Sequence, residues 1–241
     1  MGFEVVCFLN FGYPTIEDSM RFVQTYYECG CRFLQLDIPS ENPYLEQDEI
    51  KKRMAVALKR EPDYQRYFEA IRELGKKYAD IVFYLSIYAN TVEKIGIDNV
   101  LREYQRAGIR YAGFVGADDK LKEYMTRAGL SVSTYVQRHL PLQEVEKAQK
   151  AERVSYQFRS LQNQEINTRV ATYNEGTEYL RHHGVTCPIY ATVGIRTPDD
   201  VREVKRAGAQ GVFVGSVLMK ELEYPDKFRR LLAALVAAGS E

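Results

Sequence analysis

The sequence predicts an α/β fold in which a single (β/α)₈ barrel takes up residues 1–241, and three observations predict it. First, short β-branched or aromatic runs alternate with charge-rich amphipathic stretches from end to end. Second, the runs number eight, at residues 5–10, 33–38, 81–87, 111–115, 130–135, 154–158, 188–192 and 211–214, and several are apolar almost continuously, as strands covered on both faces should be. Third, a near-repeat recurs before the strands: Gln105-Arg106-Ala107-Gly108, Thr126-Arg127-Ala128-Gly129 and Lys205-Arg206-Ala207-Gly208. Such a glycine is the left-handed cap of a helix turning back into a parallel sheet. A length of 241 residues suits one barrel as well as two small domains, and no linker, low-complexity segment or charge block marks a domain boundary. An open doubly wound sheet would want a glycine-rich phosphate turn after its first strand, and Asn10-Phe11-Gly12-Tyr13-Pro14 is not one.

The helices between these strands carry their own signals. Residues 16–29 follow Thr15, an N-cap type, with Asp18 three residues on and Gly30 as a stop. Residues 64–78 place Tyr64, Tyr67, Phe68, Ile71 and Leu74 on one face. Thr197-Pro198-Asp199-Asp200 combines an N-cap, a first-turn proline and first-turn acids. Two connections are longer than a connector needs, residues 39–63 after the second strand and 159–173 after the sixth. In a barrel both leave the C-terminal rim, where active sites are built.

Composition narrows the function classes. Lys plus Arg and Asp plus Glu each number 33, so the net charge is zero, and no electrostatic footprint for nucleic acid or an anionic membrane exists. The N-terminal MGFEVVCFLN has neither a basic region nor a long apolar run, and no stretch approaches the ~20 apolar residues of a membrane span. A cytoplasmic protein is expected. The four cysteines include one close pair, Cys29-Gly30-Cys31, with no second Cys or His cluster to complete a metal site. His182-His183 precedes Gly184 at a helix end, where imidazolium against the dipole explains it, and neither these nor His139 joins a site. No metal and no organic cofactor are expected.

The strongest chemical signal lies near the C-terminus. The seventh strand ends at Gly194, and the eighth ends at Gly215-Ser216, which opens a short helix. Glycine lets the backbone come close to a ligand, and the first N–H groups of a helix point outward without partners. Together they suit a phosphate dianion, at the position where barrels of the ribulose-phosphate-binding type repeatedly carry one.

These residues resemble the α subunit of tryptophan synthase, over nearly the whole chain. The resemblance rests on Phe8-Leu9-Asn10-Phe11-Gly12-Tyr13-Pro14 for the first strand and turn, and on the run from Phe33 to Pro43 through Gln35, Asp37 and Pro39 for the second. Tyr88-Ala89-Asn90 matches the end of the third strand, and Gly194 with Gly215-Ser216 matches the phosphate cradle, all collinear. The resemblance implies a TIM barrel and a lyase that cleaves indole-3-glycerol phosphate to indole and glyceraldehyde 3-phosphate by a retro-aldol reaction. It implies substrate contacts from Phe8, Tyr88, Asn90 and Tyr156. It also implies a β-type partner subunit met by the loop after the second strand.

The chain departs from the family where the reaction takes place. Two carboxylates are expected there, a Glu where Gln35 stands and an Asp where Glu46 stands. Gln has no proton to transfer near neutral pH, so the acid–base roles are expected of Asp37, which alternation puts on the same face as Gln35, and of Glu46. Tyr13 replaces a turn Asp, Ser86 replaces an apolar pocket residue, and the loop after the sixth strand lacks the family's phosphate-binding glycine. The expectation is a divergent member, a lyase acting on indole-3-glycerol phosphate or a related phosphorylated substrate. The alternatives are a non-catalytic regulatory paralogue bound to a β-type partner, a phosphosugar isomerase or epimerase on the same barrel, and, for assembly, a homo-oligomer.

Overall fold

The computed structural model describes residues 2–43, 48–116, 118–160 and 170–241. The chain forms two compact units, one of Phe8–Val132 and the other of Met1–Cys7 with Ser133–Glu241. The first strand, β1 (Glu4–Asn10), passes from one to the other between Cys7 and Phe8.

In the unit Phe8–Val132 the end of β1 leads to α1 (Ile16–Glu28), β2 (Phe33–Asp37), α2 (Asp48–Arg60), α3 (Tyr64–Lys77) and β3 (Val82–Tyr88). There follow α4 (Ala89–Ile95), α5 (Ile97–Arg106), β4 (Tyr111–Val115), α6 (Asp119–Arg127) and β5 (Ser131–Val132). Its strands pair in parallel in the order β2-β3-β4-β5, with Asp37 opposite Ser86 and Ser86 opposite Gly113. Local chemistry accounts for the helices. The Thr15 hydroxyl accepts from the Asp18 N–H at 3.0 Å, and the hydrogen bonds of Thr15 and Arg21 hold the Asp18 carboxyl below the usual carboxylate range. Tyr64, Tyr67, Phe68, Ile71 and Leu74 of α3 are all buried, as their spacing predicts. Within the segment 39–63, expected as a long rim connection, residues 48–60 form α2, which presents Ile50, Met54 and Ala57 inward at i, i+4, i+7 spacing.

In the other unit Glu4–Cys7 of β1 pairs with the last strand, and the chain resumes at β6 (Thr134–Val136), α7 (Leu142–Gln149), β7 (Val154–Gln157) and α8 (Tyr173–His182). It continues through β8 (Ile189–Thr192), α9 (Pro198–Arg206), β9 (Gly211–Val214), α10 (Ser216–Glu221) and α11 (Pro225–Ser240). The parallel order is β6-β7-β8-β9-β1.

One expected strand is two. Residues 130–135 read as a continuous run, yet β5 hydrogen-bonds to β4 (Ser131 N–H to Arg110 O, 2.8 Å) and β6 to β7 (Thr134 N–H to Arg153 O, 2.9 Å), with Ser133 between them. Side-chain propensity cannot show this, because the break reflects which neighbour supplies the ladder bonds. The three Arg-Ala-Gly junctions adopt the expected turn, with φ of 68° at Gly108, 89° at Gly129 and 75° at Gly208.

The opening of α9 is a capping box. Thr197 Oγ1 accepts from the Asp200 N–H at 3.2 Å, and Asp200 Oδ2 accepts from the Thr197 N–H at 2.9 Å and the Arg196 N–H at 2.8 Å. Thr197→Ala is expected to lower unfolding stability by about 1 kcal/mol, read as a reduced urea midpoint at unchanged slope.

Candidate active site

Within Phe8–Val132, Gln35 and Asp37 lie on one face of β2, and the Gln35 Nε2 donates to Asp37 Oδ1 at 3.0 Å. A direct hydrogen bond thus joins the two residues that alternation places together. Asp37 is 2% exposed, which makes it a buried carboxylate oriented by an amide that cannot compete for its proton. The Tyr104 hydroxyl of α5 is fully buried; burial pushes its pKa up, and the Asp37 charge adds to the effect. Glu46, the second expected carboxylate, lies outside the described residues.

Tyr88 ends β3 in an apolar cluster with Ile50 and Met54 of α2, against which Phe8 and Val115 pack. Phe8 and Tyr88, expected to contact substrate, therefore face the same compartment, and α2 contributes to its wall. Asn90 pairs with Ser40: the Ser40 hydroxyl lies 3.1 Å from Asn90 Oδ1 and 3.0 Å from Asn90 Nδ2, and it accepts the Asn42 N–H at 3.2 Å. Asn90 fixes the turn that leaves β2.

In the unit that carries the C-terminal half, β9 ends at Val214, and α10 begins at Ser216 with Gly215 as its cap. The Gly215 carbonyl accepts from the Leu218 N–H at 2.9 Å and the Met219 N–H at 3.2 Å. The Ser216 and Val217 amides thus belong to the first turn, whose donors have no intrahelical acceptor. Gly194 follows β8 with φ of 97°, and a Cβ there would stand 2.7 Å from Arg159 Cβ and Cγ. The glycine admits the stem of Arg159, whose Nε donates to Gly194 O at 2.8 Å and whose Nη2 meets Asp200 Oδ1 at 2.5 Å.

Arg159 was not foreseen in the sequence. It is half exposed, and it puts a cation beside the expected phosphate cradle, two residues after β7 ends. A lone Arg after an apolar strand carried no signal, because its contacts, Gly194 and Asp200, lie 35 and 41 residues away. Tyr156, expected at the substrate, is fully buried. Its hydroxyl accepts from Arg138 Nη1 at 2.6 Å and lies 3.2 Å from Arg138 O, and its ring stacks on Tyr173 at 5.1 Å. Burial raises the Tyr156 pKa, and Arg138 partly offsets this. Gly176 lies so close that a Cβ there would be 2.7 Å from the Tyr156 ring. His182 and His183 bond the Glu178 and Tyr179 carbonyls at 2.8 Å, at the end of α8 where the sequence placed them.

Among the described residues, no group of three or more His, Cys, Asp or Glu is placed to hold a metal ion, and no helix is long and apolar enough to cross a membrane.

The fold is that of the (β/α)₈ TIM barrels, and solved structures show it. The tryptophan synthase alpha subunit of Legionella pneumophila superposes with a TM-score of 0.79 at 21% identity, covering 99% of this chain and 93% of that one. A structure of tryptophan synthase from M. tuberculosis gives a TM-score of 0.82 at 18% identity, covering 98% and 92%. The family model of the tryptophan synthase alpha chain matches residues 3–239, and the chain belongs to that family, one of lyases. Relatives include the alpha chains of Shigella sonnei, 25% identical over 95% of this chain and 88% of that one, and of Aquifex aeolicus, 25% identical over 90% and 84%.

Proposed function

We propose that the chain is a carbon–carbon lyase that works by retro-aldol cleavage on indole-3-glycerol phosphate or a related phosphorylated substrate. The observation that carries this reading is the buried Asp37 carboxyl, held by Gln35 at 3.0 Å. Cleavage needs a proton on the ring carbon that bears the side chain. The carbon–carbon bond then breaks with its electron pair left on the ring, and the carbinol oxygen gives its proton to the carboxylate left by the first transfer as the aldehyde forms. Asp37 delivers the ring proton, a task suited to a carboxyl sheltered from water. The role proposed for Glu46 is to stabilise the positive charge that builds on the ring nitrogen. Gln35, Tyr88 and Phe8 position the ring, with Asn90 and Tyr156 as further contacts. Amides at Gly194, Gly215 and Ser216 hold the phosphate, with Arg159 adding charge. The scheme calls on no metal or organic cofactor, and a β-type subunit is the proposed protein partner.

The test is indole release from indole-3-glycerol phosphate by purified protein. Wild type is expected to release indole slowly, and Gln35→Glu, which puts a carboxyl beside Asp37, is expected to raise the rate at least tenfold. If neither protein forms indole or an aldehyde phosphate, the lyase reading fails. Rapid release by wild type, unchanged in Gln35→Glu, would instead remove the expectation of a substrate other than indole-3-glycerol phosphate.

A further inference from the structure

The register of the strands in Phe8–Val132 brings together three polar side chains that lie far apart in sequence. Asp37 stands opposite Ser86, and Ser86 opposite Gly113. In the Asp37–Ser86 pair the next residue, Ile38, donates its N–H to Ser86 O. By the same parallel pattern, the Phe11 N–H donated to Asp37 O at 3.2 Å sets Asn10 opposite Asp37. Asn10, Asp37, Ser86 and Gly113 therefore form one rung across four strands.

The neighbouring rungs show which way this one faces. Two residues earlier stand Phe8, Gln35, Tyr84 and Tyr111, the last two stacked at 4.7 Å and 15°. Two residues later stand Tyr88 and Val115. Phe8, Tyr88 and Val115 share one apolar cluster, and alternation puts the intervening polar rung on the same face. A flat ring among these apolar side chains would meet a hydrogen-bonding edge formed by Asn10, Asp37 and Ser86. At the fourth position Ser86 leans across Gly113, where a Cβ would be 3.3 Å from its Oγ.

Asn10 indicates what that edge is for. Its side chain is 3% exposed, and neither Nδ2 nor Oδ1 has a hydrogen-bond partner among the described residues. A buried carboxamide left unpaired is destabilising, and such groups in native proteins have a partner or a function. A carboxamide presents a donor beside an acceptor, and its reciprocal match is another amide-type edge.

We infer that the Asn10–Asp37–Ser86 rung is a recognition subsite for a flat ring with a lactam-type edge, an N–H next to a carbonyl, in place of the hydrocarbon edge of plain indole. The subsite names the head group of the substrate for the lyase reading above and rests on that reading for its place in the reaction. Its test needs no turnover. Equilibrium binding of two probes without a glycerol phosphate, indole and oxindole, is measured by calorimetry on the full chain. Wild type is expected to bind oxindole at least tenfold more tightly than indole. Asn10→Leu, close in size, is expected to bring the two affinities within about twofold, because one good hydrogen bond is worth roughly a factor of ten. Ser86→Ala, which removes only the hydroxyl, is expected to reduce the preference and keeps the test alive should Asn10→Leu not fold. Asn10→Leu is also expected to melt no lower than wild type, since it removes an unpaired buried amide. Equal or tighter binding of indole by wild type, no binding of either probe, or a preference unchanged in both variants overturns the inference. Loss of indole release with the oxindole preference intact would sink the lyase reading alone.

Discussion

Asp37→Asn is expected to lower the rate of carbon–carbon cleavage by a factor of about 10²–10⁴, the range associated with loss of a general acid. The substitution is nearly isosteric, and the new carboxamide oxygen can still accept the Gln35 Nε2 hydrogen bond that now measures 3.0 Å. What disappears is the transferable proton. The fall should therefore appear in kcat with little change in KM, and the melting temperature should stay near that of wild type. Adding Gln35→Glu to Asp37→Asn is expected to restore part of the activity, because the carboxyl returns to the same face two residues earlier. Retention of more than a tenth of wild-type kcat by Asp37→Asn would place the proton donor elsewhere.

Gly12→Ala is expected to have the largest effect on stability, a loss of about 2–5 kcal/mol from left-handed backbone strain and overpacking together. Gly12 has φ of 97°, and a Cβ there would collide with Tyr67 Cε1 and stand 3.3 Å from Ala57 Cβ. Tyr67 cannot swing aside: it is fully buried, its hydroxyl donates to Glu61 O at 2.9 Å, and Phe11 meets its ring edge-on at 6.4 Å. Chemical denaturation reads the loss directly. Gly12→Ala with Tyr67→Leu should recover part of it if the clash is the cause, since the shorter side chain frees the space the Cβ needs. A variant as stable as wild type would show that the turn after β1 relaxes freely.

The features that were legible in the sequence are those written within a few residues of each other. The caps at Thr15 and Thr197, the buried face of α3 and the three Arg-Ala-Gly turns all depend on contacts inside one helix or turn, and the structure shows each where it was expected. The pairing of Gln35 with Asp37 was likewise readable, because alternation along one strand is local. What stayed hidden depends on register between strands. Nothing near Asn10 indicates that it lies beside Asp37, or that Asp37 lies beside Ser86, since ladders spanning tens of residues set those neighbours. Arg159 over Gly194 was hidden for the same reason, as was the change of partner at Ser133 that splits one expected strand into β5 and β6.

The passage of β1 between the two units bears on how the protein is made. Synthesis proceeds from the N-terminus at about 5–20 residues per second, and segments pack as their partners emerge. The strands of Phe8–Val132 have their mutual partners in hand once Val132 leaves the ribosome. Glu4–Cys7 waits for Gly211–Val214, its ladder partner at the far end of the chain. For most of translation that short apolar strand offers an unpaired edge, the kind of surface that chaperones and stray strands recognise. Linking residue 241 to residue 1 and opening the chain between Cys7 and Phe8 would place Glu4–Cys7 just after α11 and remove the wait. Such a permutant should refold with less aggregation than the natural order.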